Sequence, residues 1–185
     1  MGKTDERARE LIDSITAEYR RYKKLGDGAF AQLSDEELSR AAPDDNSVAM
    51  IVWHIAGNLK SRFTDFQTTD GEKSWRNRDE EFAGRTVSRE VLLEKWEDGW
   101  RSLFTALDAL ADDNLNDVVT IREQPLAIHQ ALHRSLAHTS YHIGQIVYVA
   151  KAFRGSAWRS LSIPRGASAS FMKAGDPMQR SATRT

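Results

Sequence analysis

The chain has 185 residues, 26 basic against 27 acidic side chains and a formal net charge of −1 at pH 7. That is enough length for one domain with a sizeable core, and no charge excess to attract nucleic acid or an anionic membrane. It contains no cysteine, which excludes disulfides and thiolate metal ligands. The opening MGKTDERARELIDS has no apolar signal core, and nowhere is there an apolar run of about 18 residues. A cytoplasmic protein with neither nucleic-acid nor membrane partners is expected, as a single domain over 1–185.

The first expected helix covers 4–24. Ala8, Leu11, Ile15, Tyr19 and Tyr22 repeat at spacings of three and four, with Thr4 as its N-cap and Gly26 as its stop. Ser34 and Glu37 have capping-box spacing for a short helix. After a turn at Pro43–Asn46, a second long helix is expected over 47–68, with Ile51, Ile55, Leu59, Phe63 and Phe66 on its apolar stripe. A polar connection, Thr69–Val87, follows; links that long are functional or disordered more often than simple turns. The third helix is expected over 88–112, opening at Ser88 with Glu90 at the positive end of its dipole. It hides Leu92, Trp96, Leu103, Leu107 and Leu110. DVVTIRE then reads as extended. The fourth helix is expected over 125–153, with Pro125 in its first turn. Beyond Gly155 the chain turns irregular, ending in a flexible tail at about 172–185. Four helices that each hide one stripe define an all-α, up-down-up-down four-helix bundle with a long connection between its second and third helices.

RSLAHTSYHIGQIVYVAK places His138 and His142 four residues apart, on one helix face, where two imidazoles can reach one cation. His129 and His133 share that spacing on the opposite side of the same helix. Periodicity leaves open which pair points inward, although the helix past Thr139 is apolar on nearly every side and reads as buried all round. His54, in VAMIVWHIAGNLK, is the candidate third ligand. Asn58 and Gln145 are candidate hydrogen-bond partners for the ligands. In KSWRNRDEEF, Trp75, Arg76 and Arg78 suit a planar or anionic substrate, and suit better packing and ion pairs that pin the loop to neighbouring acids such as Asp79 or Glu80.

IVWHIAGNLKSRFTDF, TTDGEKSWRNRDEEF, LAHTSYHIGQIVYVAK and LSIPRG together resemble the DinB-like (damage-inducible) superfamily of four-helix-bundle metalloproteins, in a bacterial subfamily of unassigned function. The likeness spans about Leu11 to Phe171. It implies a divalent metal held by His54, His138 and His142, and so selects between the two histidine pairs; imidazole ligands suit zinc or nickel. It also implies a homodimer, and a small-molecule transferase acting through a thiol or water activated at an open metal position. The thiol would be a low-molecular-weight cosubstrate. A metal-dependent hydrolase and a non-catalytic metal-binding or sensory bundle are the alternatives.

Overall fold

The computed structural model describes residues 3–41 and 44–170, so Pro43 and the expected tail at 172–185 lie outside the described residues. Four long helices carry the chain: α1 (Lys3–Phe30), α3 (Val48–Phe63), α5 (Arg89–Asp108) and α6 (Ile128–Arg154). Two short ones, α2 (Asp35–Ser39) and α4 (Arg78–Glu81), sit in the connections. The only strands among the described residues are β1 (Val118–Ile121) and β2 (Gln124–Ala127), an antiparallel pair that precedes α6. The expected all-α class therefore holds. No helix among the described residues is long and apolar enough to cross a membrane.

The core forms where the four apolar stripes meet. Ile12, Ile15 and Tyr19 of α1, Ile51, Ile55 and Leu59 of α3, Leu92, Trp96, Leu103 and Leu107 of α5, and Leu132, Ile143 and Ile146 of α6 are all buried. Burial of each such side chain contributes roughly 1.5–3 kcal/mol. Helix α1 lies along α6, where the Tyr19 hydroxyl donates to the Leu132 carbonyl at 3.1 Å. Helix α3 lies along α5, and their backbones meet where a Cβ on Gly99 would stand 2.6 Å from the Ala56 Cα.

Several helix ends depart from the sequence reading. α1 begins at Lys3, so Thr4 lies inside it, and it runs to Phe30, straight through Gly26. Gly26 is a packing residue, because a Cβ there would stand 2.7 Å from Trp96 Cζ2. Ile12 replaces Leu11 on the buried stripe, and Leu11 is 36% exposed. α3 ends at Phe63, five residues short of Thr68. α5 opens as expected, with Ser88 Oγ accepting from Val91 N at 3.3 Å, but ends at Asp108. The Ser34–Glu37 capping box is present in both directions, at 3.2 and 2.7 Å. Pro125 lies in β2, opposite Thr120, and α6 starts at Ile128. The extended reading of DVVTIRE is realised as β1. The far half of α6 is not buried all round: Tyr141 is 65% and Tyr148 77% exposed.

The Thr69–Val87 connection is stitched to the hairpin. Gly71 N donates to the Thr120 carbonyl at 2.8 Å. The hairpin turn places Arg122 and Glu123 at φ 54° and 61°, a left-handed conformation that costs roughly 1–2 kcal/mol per non-glycine residue. Asp70 offsets this strain by accepting from both turn amides, Arg122 N at 2.9 Å and Glu123 N at 2.8 Å. Glu72 adds an ion pair to Arg122 Nε at 2.7 Å. Residues at the end of α3 and at the start of α6 are thereby held in one register.

Candidate metal centre

His54 sits mid-way along α3 and is 3% exposed; His138 and His142 project from consecutive turns of α6. The three rings converge, with centroids 4.6–5.1 Å apart. One ring nitrogen from each lies within 4.8 Å of the other two. His54 Nε2 and His138 Nε2 are 3.1 Å apart. Two nitrogens bound tetrahedrally at about 2.0–2.1 Å to one ion would be roughly 3.3 Å apart, so the observed spacing is close to that of a shared ion.

The other ring nitrogens are tied down. His54 Nδ1 donates to Glu81 Oε2 at 2.9 Å, which leaves Nε2 as the lone-pair nitrogen. His142 Nδ1 donates to Gln145 Oε1 at 2.7 Å, with the same effect. Glu81 is in turn clamped by Arg76, whose Nε and one terminal nitrogen donate to its two oxygens at 2.8 and 2.9 Å. Burial opposes ionisation of Glu81, but the hydrogen bonds from Arg76 and His54 win, and its carboxyl titrates below the usual range. This carboxylate–histidine arrangement fixes ring orientation and raises ligand basicity in metal sites. Gly57 makes room for it, since a Cβ there would overlap the Glu81 carboxylate. The Phe82 ring covers His54 at a centroid distance of 4.6 Å.

Burial pushes the His138 imidazole down to about 3, helped by repulsion from the positive forms of His142 and His54 and from Arg76 and Arg62. Burial also lowers His142, against the Gln145 hydrogen bond. Both rings are therefore neutral at pH 7, as ligation requires.

The cluster opens into a cavity of about 260 Å³, lined by His54, Asn58, Arg76, Arg78, His138 and His142 among others. Asn58 faces that cavity, and among the described residues no hydrogen bond joins it to a histidine. Trp75 is 53% exposed and is not one of the lining residues. Arg76 pins the loop, as one reading of the sequence had it, but to Glu81 and not to Asp79 or Glu80. Arg78 lies over the Phe82 ring at 5.3 Å. His129 and His133 stay outside the cluster: His129 Nδ1 donates to the Leu115 carbonyl at 3.0 Å, and His133 is exposed. Sequence reasoning missed Glu81. Its one signal was the acid run after Arg76, which offers three carboxylates and no way to choose among them.

Fold and site together define a helical protein with a part-buried cluster of three histidines at metal-ligand spacing, opening on an arginine-lined cavity. More particularly, the chain belongs to the family described as "Protein of unknown function (DUF1572)", whose model matches residues 6–167. It is also similar to a solved structure described as "Crystal structure of the conserved protein of locus from Enterococcus faecalis", at 20% sequence identity and a TM-score of 0.59, over 84% of this chain and 99% of that one. At that identity the likeness concerns the fold alone. Comparison with curated proteins gives no match.

Proposed function

We propose that His54, His138 and His142 bind one divalent cation, zinc or nickel, and that the protein is a metal-dependent enzyme of the DinB-like superfamily acting on a small molecule. The observation that carries this reading is the outer support of the cluster. Two of the three imidazoles have Nδ1 anchored, one to the clamped carboxylate of Glu81 and one to Gln145, and burial holds His138 and His142 neutral. Buried imidazole N–H groups need acceptors in any case, but here the anchors turn the remaining nitrogens toward one another, within 4.8 Å. The donor set fits the ion: neutral imidazole nitrogen suits both zinc and nickel. Three protein ligands leave a coordination position open, whereas structural zinc sites usually close with four, which favours catalysis over a structural metal.

When bound, such an ion lowers the pKa of a water or thiol it holds and so supplies a nucleophile at neutral pH. The chain's own residues do the rest. Glu81 and Gln145 hold the imidazole tautomers, Arg76 holds Glu81, and Phe82 shields His54 from water. The protein has no cysteine, so a thiol reaction requires a low-molecular-weight thiol cosubstrate. Transfer through that thiol, or through water, is the reaction class this site supports best. Elemental analysis of untagged purified protein, followed by thiol-cosubstrate screening of the metal-loaded form, tests it. Substoichiometric metal that cannot be raised by titration would overturn the reading.

A further inference from the structure

The cavity beside the histidines carries a charge pattern that metal binding does not explain. Five arginines line it: Arg62, Arg76, Arg78, Arg122 and Arg134. The carboxylates bonded to these arginines, and the one at the hairpin beside them, are already engaged. Glu72 pairs with Arg62 at 3.2 Å and Arg122 at 2.7 Å. Glu81 is bound by Arg76 and His54, and Asp70 is occupied by backbone amides. Two guanidinium groups, Arg78 and Arg134, make no ion pair among the described residues. A third is half-used: the Arg76 side chain is only 2% exposed, yet its Nη1 has no hydrogen-bond partner, and Glu72 Oε1 stands 3.8 Å away. A buried guanidinium N–H left unpaired carries a desolvation cost that a charged acceptor would remove.

We infer that Arg78, Arg134 and Arg76 Nη1 form an anion subsite for a compact small molecule bearing a carboxylate or phosphate group. The inference rests on reading the cavity as a ligand site but not on the metal being there. Its geometry follows from α6. Arg134, His138 and His142 succeed one another at four-residue steps, so the Arg134 Cα lies about one turn, roughly 6 Å along the axis, from that of His138, and both residues line the cavity. An anionic group held there leaves the other end of a short molecule at the histidine cluster. Phe63, Phe66 and Ile121 supply apolar wall to the same cavity. A cavity of about 260 Å³ lies at or below the lower end of ordinary ligand pockets, which limits the occupant to a small acid or small phosphate ester.

The test is calorimetric titration of the full, untagged protein, as purified and after chelator treatment, with inorganic phosphate in one arm and succinate in the other. The wild type should bind at least one of the two at one per chain with millimolar affinity or better. Phosphate preference points to a phosphorylated occupant, succinate preference to a carboxylate one. Arg78→Ala and Arg134→Ala should each weaken binding about tenfold, and the double variant should abolish it. Arg101→Ala, an exposed arginine at 71%, should bind within about twofold of wild type. Both cavity variants should keep wild-type metal content, because neither residue supports a histidine. Failure of both anions to bind, or a double variant that binds like wild type, overturns the subsite. Anion binding that survives chelation in a protein that takes up no metal overturns the metal reading and leaves the subsite standing.

Discussion

Replacing Glu81 by Gln removes one negative charge from the middle of a chain of contacts running from Arg76 to His54. The Glu81 carboxylate, its side chain 7% exposed, accepts two N–H groups of Arg76, whose side chain is 2% exposed, and one from His54. Gln keeps one acceptor oxygen, but its amide N–H₂ must face either a guanidinium donor or the imidazole N–H. Either way a charge-assisted bond is lost and the guanidinium is left without its counter-charge. Removing one partner of a buried ion pair costs about 3–5 kcal/mol. The imidazole of His54 loses its anionic acceptor as well, and loss of such an outer partner lowers metal affinity about 10–100-fold, equivalent to about 1.4–2.7 kcal/mol. Zinc competition against a chromogenic chelator measures the second effect, and urea unfolding of the metal-free protein measures the first. Adding Arg76→Met to Glu81→Gln removes the stranded cation, so the double variant should be more stable than the sum of the single changes. A folded Glu81→Gln protein that binds zinc within about twofold of wild type would refute the reasoning.

His54→Ala, His138→Ala and His142→Ala should each empty the site by elemental analysis, whereas His129→Ala and His133→Ala should keep full occupancy. His129→Ala should lose only about 1 kcal/mol of stability, from its bond to the Leu115 carbonyl. Gly57→Ala should displace Glu81 and reproduce the zinc-affinity loss of Glu81→Gln, while circular dichroism still shows the helices. In the metal-free protein, His138 protonates near 6.5 when unfolded and near about 3 when folded. The unfolded chain then holds more protons across that window, so stability is complete above it and falls as pH drops. The full shift would amount to roughly 2 kcal/mol by about pH 5, and solvent screening of a ring that is only part-buried leaves about 1 kcal/mol of it. Urea midpoints that stay flat between pH 7 and 5 would contradict it. A homodimer is expected in solution, and sedimentation showing only a 20.9 kDa species at micromolar concentration would reject it.

The apolar stripes were legible because periodicity is a local property: all five residues expected on the second helix and all five on the third are buried. Helix ends were less legible because distant contacts decide them. Gly26 looks like a stop, yet it stays helical because the Trp96 ring needs the space a side chain would fill. Pro125 satisfies the rule for a helix start, yet the hairpin claims it, and Gln130 Oε1 instead accepts from the Ala127 amide at the true start, 3.0 Å away. The histidine trio could be found because its ligands are rare residues, only five in the chain. Glu81 and Arg134 are common types whose role depends on what lies 27 residues away or across the cavity. Spacing held one unused signal: Arg134 precedes His138 by the same four residues that separate His138 from His142.

The stitching of the Thr69–Val87 connection to the hairpin bears on how the cavity can open. That connection carries Arg76 and Glu81, and its amides and carboxylates are bonded to β1 and the hairpin turn. It cannot lift as a flap without breaking those bonds together and letting the left-handed turn relax. Access to the cavity therefore falls to the exposed Arg78 and Arg134 side chains that line it, which swing on the picosecond-to-nanosecond scale of exposed rotamers. In hydrogen exchange, the amides of Gly71, Arg122 and Glu123 should open as one cooperative unit, far more slowly than the entrance they frame.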